Sequence, residues 1–207
     1  MNRSLFPSWS GVGGRIAFAR VGDAVARFAL FLATARLLAP RDFSNYALLT
    51  AALATSQWAL SLGAPRVALY FHARGMRGPL YAWLYLLAAA ASLAVAAALA
   101  FLPGLRDRLF PGLPPAVVWL GFSPLPFSLL ADSLAATLLS ERRTRAYGAT
   151  LWARDLGTAA VLITSLAAAD RLAWILAGRV IVQALVAALT AWAGRARPRW
   201  ESMRSFS

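Results

Sequence analysis

Arg20, Asp23 and Arg27 recur at steps of three and four residues, so a helix would carry all three on one face. Further along, Arg154 neighbours Asp155, and Gln183 follows Arg179 by one turn. Gln57, Tyr85 and Asp132 each place a polar group in an otherwise apolar stretch. The planar fork of arginine donates two hydrogen bonds at once to phosphate oxygens. An interior lined by Arg20, Arg27, Arg154 and Arg179 would therefore suit an anion. The aspartates compensate part of that charge, and Asp132 and Asp155 are the candidates for coupling to an ion or a proton. Ionised groups at membrane depth cost at least about 2.5–3.5 kcal/mol each on insertion scales, so they need pairing or a water-filled cavity. The Arg20–Asp23 and Asp23–Arg27 spacings also allow intrahelical ion pairs with a purely structural role.

Other chemistries lack their residues. The chain has 0 Cys and 1 His, which excludes disulfides, thiolate nucleophiles and multi-His metal sites. No metal or cofactor is expected. His72 falls just past an apolar run and reads as an interfacial residue at the cytoplasmic surface, outside the spans in which an intramembrane Ser–His pair would have to lie. Gly11, Gly13 and Gly14 have neither a strand before them nor a Lys after them, so they form no phosphate loop. Asp23 and Arg27 mimic one corner of the aspartate cluster of a membrane CDP-alcohol transferase, but the other aspartates are missing. The sequence therefore reads as a non-enzyme.

The elements that hold these groups are transmembrane helices. Hydrophobic residues make up 60% of the 207 and charged residues 14%, far from the balance of a soluble domain. The net charge of +13 comes from arginines dispersed between apolar runs, which argues against nucleic acid. A span needs about 20 apolar residues. Six stretches qualify: 14–38, 43–62, 80–102, 115–139, 146–168 and 172–193, followed by a short basic tail at 195–207. The fold class is all-α, a six-helix membrane bundle. Pro40, Gly63 with Pro65, and Pro103 with Gly104 mark turns between spans. Pro124 and Pro126 should kink the fourth run or move its helical start to about Phe127. The charges at Arg20, Asp23 and Arg27 sit too close to the apolar run for a cleaved signal, so the first helix is expected to be retained.

Each run carries one polar line. Tyr46, Thr50, Gln57 and Ser61 align in the second, and Tyr81, Tyr85 and Ser92 in the third. Ser128 and Asp132 align in the fourth. Tyr147, Thr150, Arg154, Thr158 and Ser165 align in the fifth, and Arg179, Gln183 and Thr190 in the sixth. Helices arranged this way enclose a shared polar interior and face lipid elsewhere. For the Ser and Thr positions, bonding to their own backbone is the favoured reading. Arg15 is expected to snorkel to the headgroups. Arginines in the connecting segments divide eleven to five between the two sides, which places both termini in the cytoplasm.

Three segments carry a resemblance to a known family. Leu37-Leu38-Ala39-Pro40-Arg41-Asp42-Phe43-Ser44-Asn45-Tyr46 resembles the joint between helices one and two of polysaccharide (O-antigen-type) flippases, with Ser44 where Gly is usual. Leu62-Gly63-Ala64-Pro65-Arg66-Val67-Ala68-Leu69-Tyr70 resembles that family's Leu-Gly followed by a short amphipathic stretch. Leu138-Leu139-Ser140-Glu141-Arg142-Arg143-Thr144-Arg145-Ala146-Tyr147 resembles its loop between helices four and five. The resemblance implies one lobe of a two-lobe transporter of the multidrug/oligosaccharidyl-lipid/polysaccharide exporter superfamily. Such proteins move polyprenyl-diphosphate-linked oligosaccharides across the cytoplasmic membrane by alternating access.

On that resemblance Arg20, Asp23 and Arg27 face the cavity. The arginines hold the diphosphate, and Gln57, Tyr85 and Gln183 meet sugar hydroxyls. The partners implied are the lipid-linked glycan, membrane lipids and a second lobe, supplied by a separate chain, by self-association or by a longer product. Two other readings stand beside it. One is a non-transporting membrane scaffold of a glycan assembly complex, and the other is a drug exporter of the same superfamily.

Overall fold

The computed structural model describes residues 9–61, 63–74, 77–101 and 103–194. They form nine helices: α1 (Trp9–Leu37), α2 (Pro40–Leu60), α3 (Ala64–Ala73), α4 (Arg77–Phe101), α5 (Pro103–Leu109), α6 (Pro115–Phe122), α7 (Leu125–Ser140), α8 (Thr144–Ser165) and α9 (Arg171–Gly194). No strand occurs among the described residues. The expectations for the Arg15 side chain and for the tail at 195–207 lie outside the described set.

Three segments are long and apolar enough to cross a bilayer: Leu80–Leu99, Pro115–Ser140 and Arg171–Gly194. A fourth appears if α2 and α3, bent by 43° at their junction, count as one. That is the signature of a membrane protein. At 29 and 22 residues, α1 and α8 have the length as well. Their interior charges, Arg20, Asp23 and Arg27 in one and Arg154 and Asp155 in the other, lower their apolarity.

Proline and glycine set most of the breaks. Pro124 interrupts the fourth run, as its missing N–H requires, and the helix resumes at Leu125. At two of the predicted joints the preceding helix ends as expected and a further helix starts at once. Pro103 opens the short α5, since proline suits the first turn of a helix as well as it ends one. Gly63, with φ +74°, stands in the turn that caps the start of α3, and Ala64 and Pro65 then begin that helix. That φ is one only glycine adopts without steric cost.

Helix ends gather into two sets. At one end, Arg171 Nη1 donates to the Leu37 carbonyl at 3.1 Å, capping α1 from the start of α9. A methyl built on Gly112 would stand 3.9 Å from Arg41 Nη2, so the α1–α2 joint lies over the segment before α6. At the other end, Arg143 donates to the Ala193 carbonyl and caps α9. His72 of α3 meets Ser140 at the end of α7 there. Cations at helix C-termini satisfy orphan carbonyls and complement the helix dipole.

The registers agree with this division. Gly22 packs on Trp152 and Asp23 bonds Arg154, so α1 and α8 run parallel. Gly157 faces Val182 and Gly178 faces Val161, so α8 and α9 run antiparallel. Small residues let these helix backbones approach closely, the usual device where lipid removes the hydrophobic drive for association. The principal apolar core joins α2, α6 and α7 with α9 through Leu49, Leu53, Val118, Leu125, Leu129 and Leu176.

Candidate functional site

Five helices converge on a cavity of about 440 Å³, lined from α1, α2, α7, α8 and α9. Its most connected group is Asp23, which sits just behind the wall. Arg27, one turn along α1, donates to it through Nε at 3.2 Å, and its Nη2 forms an ion pair with the other carboxylate oxygen at 3.0 Å. Arg154 of α8 donates to the same carboxylate. The spacing that put Arg27 beside Asp23 is local and legible. The arrival of Arg154 depends on the parallel packing of α1 on α8.

Asp155 is 6% exposed, and its Oδ1 lies 3.7 Å from Arg154 Nε. Its Oδ2 is buried and meets no hydrogen-bond donor among the described residues, and the Asp23 carboxylate is a close neighbour of the Asp155 side chain. The Gln57 amide donates to Asp132 Oδ2 at 2.6 Å, tying α2 to α7. Asp132 is otherwise open to the cavity. Arg179 of α9 donates through Nη1 to the Thr50 hydroxyl at 2.8 Å. No carboxylate lies within ion-pair distance of Arg179 among the described residues. Gln183 lines the cavity one turn further on.

Seven of the sequence-predicted groups therefore line one space: Arg27, Gln57, Asp132, Arg154, Asp155, Arg179 and Gln183. Asp23 is bound to two of them. Arg20 is placed elsewhere. It lies on an exposed face of α1, does not line the cavity, and forms no ion pair among the described residues. Tyr85 is also outside it, half-buried on α4, which packs against α3 and α7 rather than against the charged wall. With Arg20 removed, three arginines face three aspartates, so the interior is balanced in charge rather than cationic.

No family model, curated protein or solved structure matches the chain. The site is therefore read from its own geometry.

Thr50 earns its place by a contact that the sequence could not show. Most other Ser and Thr hydroxyls turn back on their own helix, as expected: Thr34 to Leu30, Ser128 to Leu125, Thr150 to Tyr147 and Thr190 to Val186. Tyr46, Phe28 and Phe31 add an aromatic border to the cavity. Tyr46 sits on the predicted polar line of α2, whereas the two phenylalanines carried no signal beyond lying within a turn of Arg27.

His72 corrects the interfacial reading. It is 3% exposed, wedged between α3, α4 and α7. Its Nδ1 lies 2.6 Å from Ser140 Oγ, its Nε2 lies 3.1 Å from the Tyr81 hydroxyl, and Glu141 Oε1 is 3.5 Å from Nε2. This Ser–His pair was not legible from local spacing, because its residues stand 68 positions apart. Ser140 also donates to the Thr137 carbonyl at 2.7 Å. The cluster therefore reads as a joint that ties three helix ends together.

Proposed function

We propose that this chain is one lobe of a membrane flippase for polyprenyl-diphosphate-linked oligosaccharides, with the α1–α2–α7–α8–α9 cavity as its substrate site. On this reading the chain crosses the membrane six times, by α1, by α2 with α3, by α4, by α6 with α7, by α8 and by α9. The two sets of helix ends support that count. Both termini would then be cytoplasmic, and a second lobe, from another chain or a second copy, would complete the pathway.

The observation that carries the proposal is Arg179. Among the described residues this cation bonds a neutral hydroxyl and no carboxylate, so its charge is available to a ligand. Arg27 and Arg154 are engaged by Asp23 and supply less free charge. A half-buried guanidinium without a carboxylate is favoured by a visiting anion, and phosphate oxygens match its fork. Gln57 and Gln183 then meet sugar hydroxyls. The amphipathic α3, which follows the Leu-Gly segment of the family resemblance, supports the same assignment.

The test is binding in lipid nanodiscs of a short-chain polyprenyl diphosphate disaccharide against the matching neutral polyprenyl glycoside. The diphosphate should bind at least about tenfold tighter, equivalent to about 1.4 kcal/mol. Arg179→Gln should erase the difference and Arg20→Ala should leave it. Equal binding of both lipids by the wild type would contradict the proposal. Normal glycan export by an Arg179→Gln strain would instead favour a scaffold, for which the interior charges are dispensable.

A further inference from the structure

The two ends of the cavity differ in charge, and the difference selects a ligand class within the anion-binding reading above, on which this inference rests. One end holds Arg179 and Thr50. The other holds Asp132 and Gln57, seven residues along α2 from Thr50 and so about 10 Å away at 1.5 Å per residue. Asp155 lies between. The facing of Gly157 with Val182, and of Gly178 with Val161, sets Arg179 about 7 Å along the axis from it. The carboxylate end carries Asp23, Asp132 and Asp155 against Arg27 and Arg154. With every group ionised it is one negative charge in excess, and the Arg179 end is one positive.

The excess has a definite address. Asp23 is bound by both arginines, whereas Asp155 keeps one buried oxygen that meets no donor among the described residues, and Asp132 is open to the cavity beyond its single bond from Gln57. A buried polar oxygen without a donor is costly, and the cost is removed when a ligand supplies one. A hydroxyl would satisfy the hydrogen bond but leave the charge in place. An ammonium supplies both, and its three donors can reach acceptors that are apart. The carboxylates form no group with metal-ligand spacing among the described residues, which favours such a cation over a metal ion.

We propose that the cavity binds zwitterionic sugar phosphates, with the phosphate on Arg179 and a free amino group on the sugar at Asp155 and Asp132. For the lipid-linked substrate this means an amino sugar, not N-acylated, close to the diphosphate.

The experiment measures binding of three soluble probes to the purified full chain in nanodiscs: glucosamine 6-phosphate, N-acetylglucosamine 6-phosphate and glucose 6-phosphate. The expected result is glucosamine 6-phosphate at least about tenfold tighter than the other two. Asp155→Asn should abolish that preference while leaving glucose 6-phosphate no weaker. Asp132→Asn, at a position open to the cavity, gives a second reading should Asp155→Asn fail to fold. Arg179→Gln should weaken all three probes. If all three bind alike and still depend on Arg179, the amine preference is overturned and the anion site stands. If none binds, or binding ignores Arg179, the anion site falls and this inference with it.

Discussion

Replacing Asp23 with Asn should cost far more stability than its exposure on one helix would suggest. The Asp23 side chain is 13% exposed and its partner Arg154 is 15% exposed, whereas Arg27 is 55% exposed. Removing the carboxylate leaves Arg154 in the interior with only Asp155, 3.7 Å from its Nε. Breaking a buried pair from one side costs about 3–5 kcal/mol, and the residual exposure places this one near about 3 kcal/mol. Arg27→Gln removes an exposed i,i+4 pair, which is worth about 0.3–0.5 kcal/mol. The two variants remove partners of the same contact, yet their costs should differ several-fold.

The double variant Asp23→Asn with Arg154→Gln should recover about 1–3 kcal/mol relative to the sum of the singles, the range expected for residues in one network. The assay is reversible unfolding in mixed micelles, titrated with dodecyl sulfate and followed by circular dichroism and tryptophan fluorescence. Equal destabilisation by Asp23→Asn and Arg27→Gln would refute the claim that Asp23 bridges α1 to α8.

Other expectations follow from packing and topology. A methyl at Gly178 would fall 2.6 Å from Val161 Cγ2 and closer still to Cγ1, and Val161 is β-branched and stiff. Gly178→Ala should therefore cost about 1–3 kcal/mol, with partial rescue by Val161→Ala, in the same unfolding assay. Gly148→Ala meets nothing nearer than the Ala19 Cβ at 3.9 Å, so it should be neutral or slightly stabilising. Single cysteines can be introduced into a chain that has 0 of its own. Cysteines at Arg108 and Asp170 should be labelled by an impermeant maleimide from outside, and one at Arg142 only after permeabilisation. The reverse pattern would invert the orientation.

The apolar runs at 80–102, 115–139 and 172–193 were legible because length and hydropathy alone identify a span. The break at Pro124 was legible for the same local reason. The α2–α3 bend was not, since Gly63 and Pro65 read equally well as the end of one helix and the start of another. Arg27 facing Asp23 followed from spacing on a single helix. The meeting of Arg154 with Asp23, of Gln57 with Asp132 and of Arg179 with Thr50 did not, because each joins two helices whose rotation the sequence leaves open. The same gap explains Arg20 and Tyr85, which share the predicted faces but project away from the cavity. His72 misled because it stands beside Arg74 in a segment that looks like a loop, while its partners Tyr81 and Ser140 arrive from two other helices.

The most direct test of the substrate site is transport itself. Liposomes holding the purified chain, or the chain with whatever second lobe copurifies with it, would carry a fluorescent polyprenyl diphosphate glycan in both leaflets. Membrane-impermeant quenching then reads exchange between leaflets. The wild type should expose the inner-leaflet pool, Arg179→Gln should slow that exposure at least about tenfold, and Arg20→Ala should match the wild type. Exchange by Arg179→Gln at the wild-type rate would contradict the assignment of the cavity as the diphosphate site.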